Sequence, residues 1–171
     1  RKGMDYFVLF LEKLVASSPE TRENTVVAIL GGHAEDVAER IPLKAFPLGY
    51  VSEEKRIVNI YNAADVFVLP SLEDNLPNTI MEAMACGVPC VGFKVGGIPE
   101  MIDHMRNGYV AKFRDSDDLA KGMQWVLTDS DIGNLSDNCL KKVVASYSQH
   151  SVAIKYIEVY NQALAFKHYK I

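Results

Sequence analysis

Cysteine is scarce in this chain, with three in 171 residues: Cys86, Cys90 and Cys139. The odd count, without metal-ligand spacing or a neighbouring histidine pair, points to reduced thiols in a cytosolic protein rather than a disulfide framework or a zinc site. No apolar run approaches the roughly 20 residues of a membrane-spanning helix, and nothing at the start resembles a signal peptide. A cationic excess is missing too. The formal charge of −4 supplies no electrostatic reason to expect nucleic acid or an anionic membrane as the main partner. A phosphate-bearing ligand would therefore need local help, from backbone amides or a few placed cations. Internal repeats, low-complexity tracts and linker-like stretches are also absent, so one domain is the economical reading. At 49% hydrophobic and 23% charged, the composition is that of a soluble globular domain with one sizeable core. The chain opens on Arg1 and enters a helix almost at once, which reads as the inside of a longer protein.

What is present alternates in type. Residues 4–17 carry Phe7, Leu11, Leu14 and Val15 at helical spacing, with Pro19 just past the end. A β-branched run at 25–30 stops at Gly31-Gly32, and a helix is expected over 34–40. A weaker strand at 45–51 leads to a helix at 53–63. Residues 66–69 read as a fully buried strand closed by Pro70-Ser71. A helix at 80–86, a strand at 89–93, the Gly96-Gly97 turn and a short strand at 109–111 follow. Beyond them come only helices, at 116–127, 131–147 and 152–166. Short apolar strands separated by helices predict an α/β fold, a Rossmann-like parallel sheet with helices on both faces, followed by an all-helical C-terminal segment. Ligands of such sheets bind beyond the carboxyl ends of the strands. That makes the loops at 31–33, 49–52, 71–78 and 94–99 the ones to inspect.

The densest segment runs from Pro70 through Glu73-Asp74-Asn75 and Pro77 into a helix, and on to Cys86-Gly87-Val88-Pro89. Proline's missing N–H costs least at a helix start, so the helix should begin near Pro77. Ile80, Met81, Ala83, Met84 and Ala85 leave it no clear solvent face, and Glu82 sits amid them. A carboxylate on a buried helix needs a partner. An internal donor and a ligand with paired hydroxyls, such as a ribose, satisfy it equally well. Free N–H groups at Asn78, Thr79 and Ile80, with the positive end of the helix dipole, form a ready site for a pyrophosphate. Asp74 would face the same crevice, although a loop or capping acid is its ordinary role. His33 reads as a turn histidine, and His104, His150 and His168 have no partner in sequence. The stripe Tyr156, Ile157, Tyr160 and Leu164 has the spacing of a packed helix face.

These motifs together resemble the C-terminal domain of retaining GT-B glycosyltransferases, the large family 4 group. The resemblance rests on Asp74, seven residues, Glu82-Ala83, and then Cys86-Gly87-Val88-Pro89. It extends through Gly96-Gly97-Ile98-Pro99-Glu100 and Asn107-Gly108, and upstream through Leu48-Gly49-Tyr50-Val51 and the strand from Ala64 to Ser71. It implies that residues 1–171 are a donor-nucleotide-binding domain lacking its first strand and the N-terminal acceptor domain. By that resemblance Asp74 and Glu82 are the catalytic pair, Glu82 holding the ribose hydroxyls and Asp74 the hydroxyls of the donor sugar. Asn78 and Thr79 would cradle the diphosphate, Gly49, Tyr50 and Val51 would lie against the base, and Lys2 would be a phosphate-binding lysine. Two departures stand out. The family's first acid is usually glutamate, so Glu73 competes with Asp74 for the sugar, with Asn75 beside them. Pro77 replaces a usual glycine and removes an amide.

The resemblance further implies a cytoplasmic hexosyltransferase that takes a nucleoside-diphosphate sugar as donor and acts on a polysaccharide, glycolipid or lipid-linked glycan. No metal or other cofactor is expected. Any membrane contact would run through the missing half, and the last helix would cross back toward it. Two other readings remain, a nucleotide-sugar 2-epimerase and a non-catalytic nucleotide-sugar-binding or scaffold module on the same fold. The first needs a second acid/base cluster, which is not found here.

Overall fold

A computed structural model of the chain describes residues 3–17 and 19–168. Among these residues five parallel strands form two sheets. Strand β1 (Val26–Leu30) pairs with β2 (Lys44–Gly49), and β3 (Phe67–Leu69), β4 (Cys90–Phe93) and β5 (Gly108–Ala111) pair in the order β3-β4-β5. The register of the first pair shifts between Ile29 and Leu30, so that Leu30 aligns with Gly49.

Helix α1 (Met4–Ser17) buries Phe7, Val8, Phe10, Leu11 and Leu14. Burying an apolar side chain of that size contributes about 1.5–3 kcal/mol. The same cluster takes in Val91 and Phe93 of β4, and Leu119 and Met123 of α7 (Ser116–Gln124). Val27 and Ile29 of the first sheet and Val68 of the second also pack on it, so one apolar cluster joins both sheets. The opposite face of β4 packs on a second cluster. It joins Cys90 to Ile80, Ala83 and Met84 of α5 (Asn78–Ala85), Ile98 of α6 (Ile98–Met101) and Cys139 of α8 (Ile132–Tyr147). Successive β4 residues thus point to alternate helical layers, and all four are buried. The expected α/β architecture, with helices on both faces of parallel sheet, is what the chain adopts.

Several boundaries and one burial expectation change. Residues 66–69 were expected to be fully buried, yet Val66 and all of β3 are only half-buried, because β3 pairs on one edge alone. Pro19 does not merely follow α1; it opens a short helix, α2 (Pro19–Asn24). Helix α3 (Ala34–Ala38) is shorter than expected, and α4 (Glu54–Asn62) lies within the expected span. The Gly96-Gly97 turn starts α6, and α7 runs on into a π-helical turn, Trp125–Asp129. Asp115 and Asp131 cap α7 and α8 through side-chain oxygens that accept backbone N–H bonds at 3.0–3.2 Å.

The last helix, α9 (Gln149–His168), begins at the cap formed by Ser148, whose Oγ accepts from the Ser151 N–H at 3.2 Å. From Ala153 to Ala165 every residue is exposed. Tyr156, Ile157, Tyr160 and Leu164 are each more than half exposed. Spacing alone predicts core packing for this stripe, whereas the family resemblance, in which the last helix crosses back toward a second domain, predicts that part of it is uncovered. Among the described residues no helix is long and apolar enough to cross a membrane.

Candidate functional site

The acidic loop at 70–77 leaves the carboxyl end of β3 and is pressed from two sides. Gly96 has φ +51°, and a Cβ there would overlap the Asp74 carbonyl oxygen. Its neighbour Gly97 donates its N–H to the Asn75 carbonyl at 2.6 Å. The loop after β4 therefore holds the loop after β3 by backbone contact, which requires glycine at Gly96. The close approach of this turn is thus to the backbone at Asp74. On the other side, Gly3 stands against the Pro70 carbonyl in the same fashion, at the start of α1. Ser71 at the head of the loop is fully buried, and its Oγ has no hydrogen-bond partner among the described residues.

Asp74 is half-buried, and its carboxylate accepts no hydrogen bond among the described residues, while Glu73 and Asn75 are exposed beside it. Pro77 stands at the N-cap of α5, one position before the first helical residue where proline is favoured. Of the three amides expected to be free, Ile80 N–H is engaged by the Pro77 carbonyl at 3.1 Å. Asn78 and Thr79 keep theirs unpaired among the described residues. The first turn of α5 thus offers two donors, with the positive end of the helix dipole behind them.

The expectation that α5 lacks a solvent face is corrected. Asn78, Thr79, Glu82 and Ala85 are exposed and fall three or four residues apart, so they form one face. Glu82 is therefore not a buried carboxylate in need of rescue. Ile80, Ala83 and Met84 turn inward, and the helix is amphipathic where its composition reads as uniformly apolar. Nevertheless Glu82 has one internal partner, since the Tyr61 O–H donates to its Oε2 at 3.2 Å. Tyr61 lies in the last turn of α4, is almost wholly buried, and meets Phe67 of β3 edge to face at 5.7 Å. Burial, reinforced by the neighbouring Glu82, pushes the phenol pKa up and keeps it a donor. Burial and Glu82 likewise push the Cys86 thiol up.

Gly49, Tyr50 and Val51 lie at the end of β2. The Gly49 carbonyl accepts from Gly31 N–H at 2.8 Å, and Tyr50 is 86% exposed. Among the described residues no hydrogen bond joins this turn to Asp74 or α5; α4 connects them, running from the turn to Tyr61. Lys2 lies outside the described residues, and so does its expected phosphate contact. His33 occupies a left-handed turn (φ 63°) with Nδ1 3.0 Å from Asp36 Oδ2, as a turn histidine would. His104 Nδ1 accepts from Val110 N–H. No group of three or more His, Cys, Asp or Glu among the described residues is arranged to hold a metal ion.

Two residues were not anticipated, Tyr61 and Ser71. Tyr61 lies 21 positions before Glu82, so no helical or strand period links them. Ser71 was read only as the closure of a strand, and its lack of a partner is a tertiary fact.

The family described as "Glycosyl transferases group 1" matches residues 1–129. An uncharacterized glycosyltransferase of Methanocaldococcus jannaschii is 30% identical over 96% of this chain and 43% of its own length. An Escherichia coli UDP-Gal:alpha-D-GlcNAc-diphosphoundecaprenol alpha-1,3-galactosyltransferase is 33% identical over 54% of this chain and 24% of its own. Among solved structures, a variant of S. aureus TarM in complex with Fondaparinux, alpha-GlcNAc-glycerol and UDP superposes with a TM-score of 0.74 at 20% identity. That match covers 94% of this chain and 33% of the other. The chain thus spans less than half the length of these relatives. On the family match over most of its residues and the fold it shares with GT-B structures, the chain belongs to the group 1 glycosyl transferases.

Proposed function

We propose that the intact protein transfers a sugar from a nucleoside-diphosphate donor to an acceptor, and that this chain supplies the donor site. The observation that carries the reading is the exposed face of α5. There, two unpaired amides at Asn78 and Thr79 stand one turn from an exposed, oriented carboxylate at Glu82. A diphosphate fits the amides, the ribose hydroxyls fit Glu82, and the half-buried Asp74 with its unused oxygens, next to Glu73 and Asn75, fits the sugar. Breaking the bond from the anomeric carbon to the diphosphate leaves negative charge on the leaving group. Helix-start amides stabilise that charge without an obligatory metal. UDP bound to the S. aureus neighbour is consistent with this class of donor. In this proposal the base lies on Gly49, Tyr50 and Val51, Lys2 assists the phosphates, and the anomeric configuration is retained.

The acceptor in this reading is a glycan or lipid-linked glycan held by a second domain. The diphosphoundecaprenol named for the E. coli relative supports that class, and so does the exposed apolar stripe of α9, which a second domain would cover. Among the described residues both β1 and β3 have an unpaired edge, and both strands pack on the cluster that contains α1. That favours a domain in which one further parallel strand, leading into Gly3, joins the two sheets. The reaction would take place in the cytoplasm, and this chain alone would bind nucleotide weakly and transfer nothing.

Calorimetric titration of UDP, GDP and ADP into the chain and into Glu82→Ala tests the donor site. A hydrogen bond to a charged group contributes about 1.5–3 kcal/mol, so the variant should bind about ten- to a hundred-fold more weakly. Equal affinity of the two proteins would remove Glu82 from the site, and no binding at millimolar concentration would favour a non-catalytic module.

A further inference from the structure

The Tyr61–Glu82 pair has a feature that packing alone does not require. Tyr61 is 3% exposed and its ring is fixed edge-on against Phe67, yet its hydroxyl emerges beside an exposed carboxylate on the neighbouring helix. Among the described residues, Glu82 Oε2 is the only hydrogen-bond partner of that hydroxyl, and the Tyr61 hydroxyl is the only one of the Glu82 carboxylate. An exposed glutamate otherwise samples many rotamers. A donor carried by a rigid, buried ring restricts it to one. A single O–H on Oε2 leaves Oε1 wholly free, so the carboxylate keeps acceptor capacity for a vicinal diol while its plane is set.

We propose that Tyr61 is a positioning residue for nucleotide recognition, holding Glu82 in the orientation that accepts the 2′- and 3′-hydroxyls of a ribose. The inference rests on the donor-site reading above. It adds that discrimination between ribose and deoxyribose depends on a residue that does not touch the ligand. Pre-organisation of this kind improves affinity by removing an ordering cost, and its effect is confined to the group being oriented.

The test compares dissociation constants of UDP, GDP and ADP with those of their 2′-deoxy counterparts for the chain, Tyr61→Phe, Glu82→Ala and the double variant. Tyr61→Phe keeps the ring in its pocket and removes only the hydroxyl. The deoxy-to-ribo ratio is the readout, because a general loosening of the fold weakens both nucleotides alike. The expected ratio is about ten for the chain, falling about three-fold or more in Tyr61→Phe and to about one in Glu82→Ala, with no further change in the double variant. Should Tyr61→Phe fail to fold, 3-fluorotyrosine at position 61, a stronger donor of nearly the same shape, is expected to raise the ratio. A Glu82→Ala ratio equal to the unmodified chain's overturns the ribose reading and this inference with it. If Glu82→Ala loses discrimination while Tyr61→Phe (or the fluorinated chain) keeps the original ratio, only the role of Tyr61 is overturned. Absence of binding by all three nucleotides overturns both.

Discussion

Three glycine-to-alanine substitutions separate two costs that usually arrive together. At Gly96 the backbone is left-handed (φ +51°) and an added Cβ would overlap the Asp74 carbonyl. At Gly49 it is also left-handed (φ +64°), but nothing lies within 4 Å of the added atom. Gly32 has open space and no left-handed angle. A left-handed angle costs a non-glycine residue roughly 1–2 kcal/mol, and forcing an atom into a packed contact costs roughly 1–3 kcal/mol. Gly49→Ala should therefore lose about 1–2 kcal/mol, and Gly96→Ala about 2–5 kcal/mol. Gly32→Ala should be neutral or gain up to about 1 kcal/mol by restricting the unfolded chain. In a chain of 171 residues each kcal/mol moves Tm by roughly 2–4 °C, so the order is readable in a thermal melt and checkable by urea titration. Because the Gly96 clash is with the acidic loop, its alanine variant should also weaken nucleotide binding, and Gly49→Ala should do so less. Equal losses at Gly96 and Gly49 would refute the idea that the two loops are clamped by backbone contact.

The thiols should divide sharply. Burial pushes Cys139 up to about 12 and Cys90 well above the ordinary thiol range, so neither supplies thiolate at pH 8. A native-state thiol titration should find only Cys86 reactive, and rapid labelling of all three would contradict the burial described here. The same shift makes folded-state stability from Cys139 complete below its unfolded value of 9.0 and lost as pH rises toward about 12. Alkaline melts should therefore show a decline that Cys139→Ala partly flattens. On α9, Ile157→Glu and Tyr160→Glu replace side chains 57% and 63% exposed, and each should change stability by no more than about 0.5 kcal/mol in a urea titration. A loss several times larger would mean that this face packs against the domain.

Much of the architecture is local enough to be read without coordinates. Apolar spacing predicts α1, and glycine pairs mark the turns after β1 and β4. The site loops are legible because parallel strands place their carboxyl-terminal loops on one edge. Burial is where reading along the chain fails. Residues 66–69 are as apolar as a central strand, yet β3 has a neighbour on one side only. Helix α5 looks apolar all round because Ala85 counts as apolar, although Ile80, Ala83 and Met84 turn inward with Met81 half-buried beside them and Ala85 is exposed.

By itself, the sequence determined the α/β alternation, since that follows from short-range periodicity and residue type, whereas the roles expected of Asp74 and Glu82 rest on the family resemblance. Only the tertiary structure decided that Glu82 faces solvent, that Tyr61 of another helix donates a hydrogen bond to it, and that Gly96 and Gly97 brace the loop carrying Asp74. Those are contacts between segments 20 or more residues apart, set by how two sheets and their helices close around one another, and no local period encodes them.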